Sequence, residues 1–278
     1  MRLETKATIL VLAVVAASVI LSFLVNHLIN GTASITTKSI PMNDVNHIYI
    51  AARDSAGNLT IRSYAGQSLQ AIEIKRSILC PPNYLHYTVS EVDASLYLSI
   101  RSNEQFYWWP SWLCSINLVL LVPDSRVLGL ISINGTNGFV SLNGTKITTA
   151  GVDLVNGMVY LNDVNASSLR ISLVNGVALL INSSSSYAAI SLVNGVANMS
   201  FTHQSYGKYS VSIINGVVNS EVPANSSVLI SVNNGKITVE TPTGMENYAG
   251  TSLQYEKSSG SPSFIISVIN GVVKMRER

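Results

Sequence analysis

Charge is what this sequence has least of. Only 12% of its 278 residues are Asp, Glu, Lys or Arg, while 47% are apolar. That composition excludes a disordered chain, which needs low hydrophobicity and high charge, and it requires a packed fold. The 17 basic and 15 acidic residues are scattered. No basic run could neutralise a row of phosphates, which excludes nucleic acid as a partner. With so few carboxylates to protonate, acid disturbs few native pairs, as would suit an acidic exterior. Histidine is scarce as well: His27, His47, His86 and His203 stand far apart, and none sits in a ligand motif with cysteine. No metal or cofactor is expected.

Long apolar runs are also rare. The single run long enough to cross a bilayer is Ala7 to Val25, ATILVLAVVAASVILSFLV, which carries no charge. As a helix it would traverse a hydrocarbon layer of about 30 Å. Arg2 and Lys6 precede it and the next cation is Lys38. The positive-inside rule therefore puts the N-terminus in the cytoplasm and the remainder outside. Two other readings stay open. One is a signal peptide cleaved after Ala33, although the run exceeds the usual apolar region of about 7–15 residues. The other is processing next to Lys6-Ala7, in the manner of archaeal pilin precursors. The expectation is a cell-surface protein divided into a cytoplasmic stub and anchor (1–29), a linker (30–44), a β cap (45–130) and a repeat region (131–278).

Cys80 and Cys114 are the only cysteines. In an oxidising exterior such a pair is expected to close a disulfide, adding about 3–4 kcal/mol on the chain-entropy model. Two buried thiols are the alternative.

What the chain has in abundance is Asn-Gly in an apolar setting. DLVNGMVYL, SLVNGVALL, SLVNGVANM, SIINGVVNS, SVNNGKITV and SVINGVVKM centre on Asn156-Gly157, Asn175-Gly176, Asn194-Gly195, Asn215-Gly216, Asn234-Gly235 and Asn270-Gly271, and Asn137-Gly138 extends the series backwards. The last six are spaced by 19, 19, 21, 19 and 36 positions. Val, Ile, Asn and Gly disfavour a helix, and Asn-Gly is a turn signal. The period is too short for a propeller blade of about 40 residues, but it suits one turn of stacked parallel coils. Equivalent asparagines would then lie about 4.8 Å apart and bond into a ladder. That role is structural, and a row of ligand-binding amides is the functional alternative. The glycines are expected to supply a positive φ at the bend. The gap of 36 predicts a degenerate or looped-out rung near Gly250.

Residues 45–130 lack the repeat but alternate as β-strands in VNHIYIAA, NLTIRSYA, QAIEIKRS, SLYLSIRS and SINLVLLVP, and would cover the open first coil. The order of elements resembles the putative-adhesin family of adhesin-like domains. Its members open with a strand, a Gly-containing turn and a short strand, here IYIAARDSAGNLTIRS. They continue with an L-x-V-P strand, here Leu121-Val122-Pro123 without the spacer, and then an Asn-Gly repeat. The resemblance covers about 45–278 and implies a right-handed β-solenoid, a surface location and an adhesive or envelope role. It carries over no catalytic residues.

The predicted fold is thus all-β, a single-chain parallel β-solenoid with rungs of about 19 residues, a β cap and one N-terminal transmembrane helix. Phe106, Tyr107, Trp108, Trp109 and Trp112 form the densest aromatic segment and end beside Cys114. If exposed, they would contact surface glycans, another cell-surface protein or the membrane interface. Otherwise they plug the core. Sequons at Asn30, Asn58, Asn143, Asn165, Asn182, Asn198 and Asn225 are candidate glycosylation sites on an exterior protein, with Asn182 in a polar corner. Asn134 lies inside a tight bend. A polysaccharide-degrading β-helix enzyme would need acids gathered in one groove. Asp153, Asp163, Glu221, Glu240, Glu246, Glu256 and Glu277 share no rung position, so no catalysis is expected. Nor do the rungs carry the aspartates of a calcium-binding repeat. Self-association is the remaining class, with residues 30–44 as a donor strand in a filament or coat. The charged C-terminus, Lys274 to Arg278, argues against open stacking at that end.

Overall fold

A computed structural model describes residues 33–42, 47–53, 57–76, 85–92, 95–102, 115–201, 207–258 and 260–278. The apolar segment 7–25, Asn30, both cysteines and the aromatic segment 106–112 lie outside the described residues. Among the described residues no helix is long and apolar enough to cross a membrane.

The described chain is all-β. Its strands are β1 (Ala33–Pro41), β2 (His47–Arg53), β3 (Gly57–Tyr64), β4 (Ser68–Arg76), β5 (Leu85–Val92), β6 (Ser95–Ser102) and β7 (Ser115–Pro123). There follow β8 (Val127–Asn143), β9 (Lys146–Asn162), β10 (Asn165–Ile181), β11 (Ser184–Ser200), β12 (Lys208–Val222), β13 (Ser227–Thr241), β14 (Gly244–Lys257) and β15 (Ser263–Glu277). All fifteen belong to one sheet, most of them pair in parallel, and the arrangement fits a β-solenoid.

Each long strand is one rung. In β10, Ala166, Leu169, Ile171, Leu173, Ala178 and Leu180 are buried, while Val174 and Asn175 both face out. In and out alternate along the straight parts, and the alternation breaks twice. The ladder to β11 skips Ser167 and Val174, and there the rung changes direction. Val, Ile and Leu suit the straight parts because branched side chains pack against their equivalents above and below. Each such side chain fully buried contributes about 1.5–3 kcal/mol, offset by the entropy of ordering the chain.

Register repeats without slippage through β8, β9, β10, β11 and β12. Asn137 lies opposite Asn156, then come Asn175, Asn194 and Asn215. The spacing of 21 between Asn194 and Asn215 accommodates a core wedge, in which the Phe201 ring lies 4.4 Å from Tyr209, itself stacked on Phe264 at 4.8 Å. The backbone N–H of Ser185 donates to the Tyr209 hydroxyl at 3.1 Å.

Space and sequence part company at both ends. β12 is followed in space not by β13 but by β15, with β13 beyond it and β14 outermost. Asn215 therefore meets Asn270, and Asn270 meets Asn234. The expected degenerate rung near Gly250 is instead β14, which runs antiparallel to β13 and sets Gly250 opposite Gly235. The charged C-terminal strand is interior to the stack and does not end it. At the other end, β2 and β3 lie on the two arms of β8, with Gly57 opposite Gly138. β6 and β7 lie on β2 and β3 in turn. The two strands within IYIAARDSAGNLTIRS, β2 and β3, thus pair with β8 as the arms of a rung. β4 and β5 flank the outer rung antiparallel, and β1 (residues 33–41 of the donor-strand candidate) pairs antiparallel with β4 of its own chain. Nine parallel rungs among the described residues span roughly 40 Å at about 4.8 Å per step.

Candidate functional site

The Asn-Gly bends form a side-chain ladder along one corner. Asn156 donates to Asn137 at 3.0 Å, Asn175 to Asn156 at 2.8 Å, Asn194 to Asn175 at 2.8 Å and Asn215 to Asn194 at 2.9 Å. Asn270 then donates to Asn215 at 2.9 Å, and Asn234 to Asn270 at 3.0 Å. Because each interior amide spends an N–H and its oxygen on its neighbours, the row is a structural seam. The expected positive φ holds at only some of the glycines beside it, and a second constraint holds at all six. φ is positive at Gly157, Gly216, Gly235 and Gly271, but Gly176 and Gly195 are not among the positive-φ residues. All six share a close approach: a Cβ would collide with the carbonyl oxygen of the equivalent glycine in the next rung.

Past the bend, the outward positions of the second arm form columns along the stack. One column runs Leu179, Asn198, Asn219, Lys274, Thr238 and Asn247, and its neighbour runs Ile181, Ser200, Glu221, Arg276, Glu240 and Met245. They line a groove of about 660 Å³, the candidate site, which ends at β14. Its floor is aliphatic at Leu179 and Ile181, then amide-rich. Asn219 donates to Asn198 at 2.6 Å, and Thr238 donates to the Asn247 side-chain oxygen at 2.9 Å.

The acids of the groove are already engaged. Glu240 accepts two bonds from Arg276, from Nε at 2.8 Å and from Nη2 at 3.0 Å. That hydrogen bond first, and the Glu240 charge second, hold the Arg276 guanidinium above its ordinary pKa. Glu221 accepts from Ser200 Oγ at 3.0 Å and from Arg278 Nη2 at 2.6 Å. Lys236 and Lys274 have no ion-pair partner among the described residues. The groove therefore offers two free ammonium groups beside amides, a hydroxyl and aliphatic carbon, which is a surface suited to polar, negatively charged chains.

Of the sequons, Asn182 lies exposed in the turn after β10 with φ 49°, and its backbone N–H donates to the Ser200 carbonyl. Asn165 and Asn225 are exposed. Asn58 donates to Asn117 at 2.7 Å and Asn143 to Ser141 at 2.9 Å, while Asn198 lies in the groove. Among the described residues no group of His, Cys, Asp and Glu could hold a metal ion. The groove was missed by sequence reasoning. Its columns become visible only when β15 is placed between β12 and β13, and nothing in the repeat announces that order.

No family model matches the chain, and no curated protein matches it. Solved structures similar to it include a "putative cell adhesion protein" from Clostridium sporogenes, 11% identical, covering 89% of this chain and 100% of that one with a TM-score of 0.41. A "putative adhesin" from Bacteroides fragilis is 13% identical and covers 88% and 97% with a TM-score of 0.39. Another from Parabacteroides distasonis is 11% identical and covers 90% and 99% with a TM-score of 0.41. At these scores the likeness is too distant to carry fold or role onto this chain.

Proposed function

We propose that this chain is a membrane-anchored extracytoplasmic β-solenoid with an adhesive or envelope-structural role, without catalysis, and that the groove is its adhesive site. The supporting observation is positional. β1, which follows the apolar segment 7–25, pairs at one end of the stack, and the groove lies against β14 at the other. An anchored stack would hold the β14 end of the groove roughly 40 Å from the membrane side. Lys274, next to Asn219 in its column, and Lys236, elsewhere on the groove lining, favour an acidic glycan, whose carboxylates meet the ammonium groups while its hydroxyls meet the amides.

The test is binding of the full-length chain in detergent to arrays of acidic and neutral glycans. Three proteins are compared: wild type, Lys236→Glu/Lys274→Glu, and a variant with Trp108, Trp109 and Trp112 replaced by Ala. Retention of acidic glycans by wild type, reduced at least tenfold in the lysine variant alone, supports the groove. Loss confined to the tryptophan variant transfers the contact to the aromatic segment. No glycan retained by any of them would refute the glycan reading.

A further inference from the structure

Strand β14 is the last strand of the sheet, bonded to β13 on one side and to no described strand on the other. From Gly244 to Ser252 it is exposed, with Met245 at 62% and Tyr248 at 39%. Such an edge is a template for another strand. Its inward-facing residues, opposite the buried Val228, Ile230, Val232, Ile237 and Val239 of β13, are Lys257, Tyr255, Leu253, Tyr248 and Glu246. They cover the end of the hydrophobic core incompletely, Leu253 and Tyr255 being only partly buried against it.

We infer that this edge pairs with the same edge of a second copy, antiparallel, about a two-fold axis passing between Thr251 and Ser252. Three features select that partner and that register. The strand turns its corner at Ser252, where φ is 56° and the ladder to β13 skips a residue. An axis bisecting the corner lays each arm of one copy on the other arm of its mate. Next, every inward residue then meets an inward residue: Tyr248 faces Tyr255, Gly250 faces Leu253 and Glu246 faces Lys257. A one-residue slip would set inward against outward positions, which sheet pairing does not tolerate where one face is buried. Finally, the charges match. Glu246, which accepts a hydrogen bond from Tyr248 at 2.7 Å, comes opposite the Lys257 ammonium, itself bound to Glu277 and the Ala224 carbonyl at 2.8 Å each. Shifts of two residues in either direction separate this pair.

The contact is isologous and closes at two copies. It joins the stacks end to end by the ends opposite β1. Resting on the anchor reading given above, the two membrane segments then lie at opposite extremes, roughly 80 Å apart. The partner is thus a second copy on a facing membrane, and the contact is homophilic.

Paired cysteines test the register in the full-length chain in detergent. Ala249 and Gln254 are exposed, outward-facing and directly opposite across the proposed axis. Under mild oxidation, Ala249→Cys/Gln254→Cys is expected to give a disulfide-linked dimer. Wild type, either single variant, and the offset pair Asn247→Cys/Gln254→Cys should give at least tenfold less. Tyr248→Lys should convert the wild-type dimer to monomer in sedimentation with an unchanged circular dichroism spectrum. Equal linking by the offset pair, monomeric wild type, or head-to-tail filaments built through β1 would each overturn the pairing. Vesicles carrying the wild-type chain should cluster, and those carrying Tyr248→Lys should not. Register-specific linking without vesicle clustering would leave the pairing standing and overturn the anchor reading.

Discussion

The middle of the stack and its two ends obey different rules. From β8 to β12 the order in space is the order in sequence, and each rung lies on the one made just before it. At the C-terminal end the chain leaves a place empty beside β12, lays down β13 and β14, and fills the place with β15. At the N-terminal end sequence order is broken the other way, since the rung nearest β8 precedes in the chain the rung outside it. The repeat motif is the same in β12, β13 and β15, so it specifies which residues face each other without specifying which rung is the neighbour. The ends are closed by antiparallel strands that lack the motif. In β14, Leu253 and Tyr255 are partly buried against the core, and the strand is otherwise largely exposed.

The largest effect that would sharpen this contrast comes from a glycine of the middle. Gly176→Ala drives a methyl group into the Gly157 carbonyl of the rung below, and a cost of about 3 kcal/mol is expected, against less than about 1 kcal/mol for Gly151→Ala on a straight part of β9. Chemical denaturation of the two variants measures the difference. If both cost the same, close approach is not the reason for the glycine.

A second, smaller effect belongs to the C-terminal end. Lys257 on β14 reaches past β13 to Glu277 on β15, whose side chain is only 5% exposed. Lys257→Met strands that carboxylate, and about 2 kcal/mol should be lost, less than a fully buried pair because the lysine is partly in water. Hydrogen exchange should show the loss concentrated in β13, β14 and β15.

The amide seam comes next. Asn175→Ala removes one donor and one acceptor from the middle of the ladder and should cost about 1 kcal/mol, whereas Asn234→Ala, at its end, should cost about half as much. Equal costs by denaturation would show that stability does not follow the number of ladder bonds, and no cost at Asn234 would show that the ladder is not continuous through β15.

The smallest effect is alkaline. Burial first, and the Glu277 and Glu246 charges after it, raise the pKa of Tyr255 above that of an exposed tyrosine. The protonated phenol is the favoured form in the fold. Its contribution is therefore complete below the ordinary tyrosine pKa and fades as pH rises through the raised value. Tyr255→Phe should flatten the fall in thermal midpoint above about pH 10, while the same fall in both proteins would dissociate it from this residue.

What could be read beforehand divides along the same line. The spacing of Asn137, Asn156, Asn175 and Asn194 carries rung length and register, because a strand buried between identical neighbours must keep its pattern. The break of 36 before Asn270 gave warning of an irregularity but not of its nature. β14 has no Asn-Gly motif, and its alternation is that of any half-exposed strand. The groove was hidden for that reason. Lys274 comes to lie between Asn219 and Thr238 only through the inserted strand, and a long-range order of that kind leaves no local trace in the chain.

That inserted strand is open to direct measurement. Ser212, Ser267 and Ser231 occupy one outward column of β12, β15 and β13. Cysteine pairs at 212 and 267, and at 267 and 231, lie one rung apart, within the Cα separation of about 4.4–6.8 Å that a disulfide accepts, whereas 212 and 231 lie two rungs apart and outside it. Oxidation of the folded chain should therefore link Ser212→Cys/Ser267→Cys and Ser267→Cys/Ser231→Cys and leave Ser212→Cys/Ser231→Cys as free thiols. Ready linking of the last pair, with none between 212 and 267, would mean that the rungs stack in sequence order and would contradict the account.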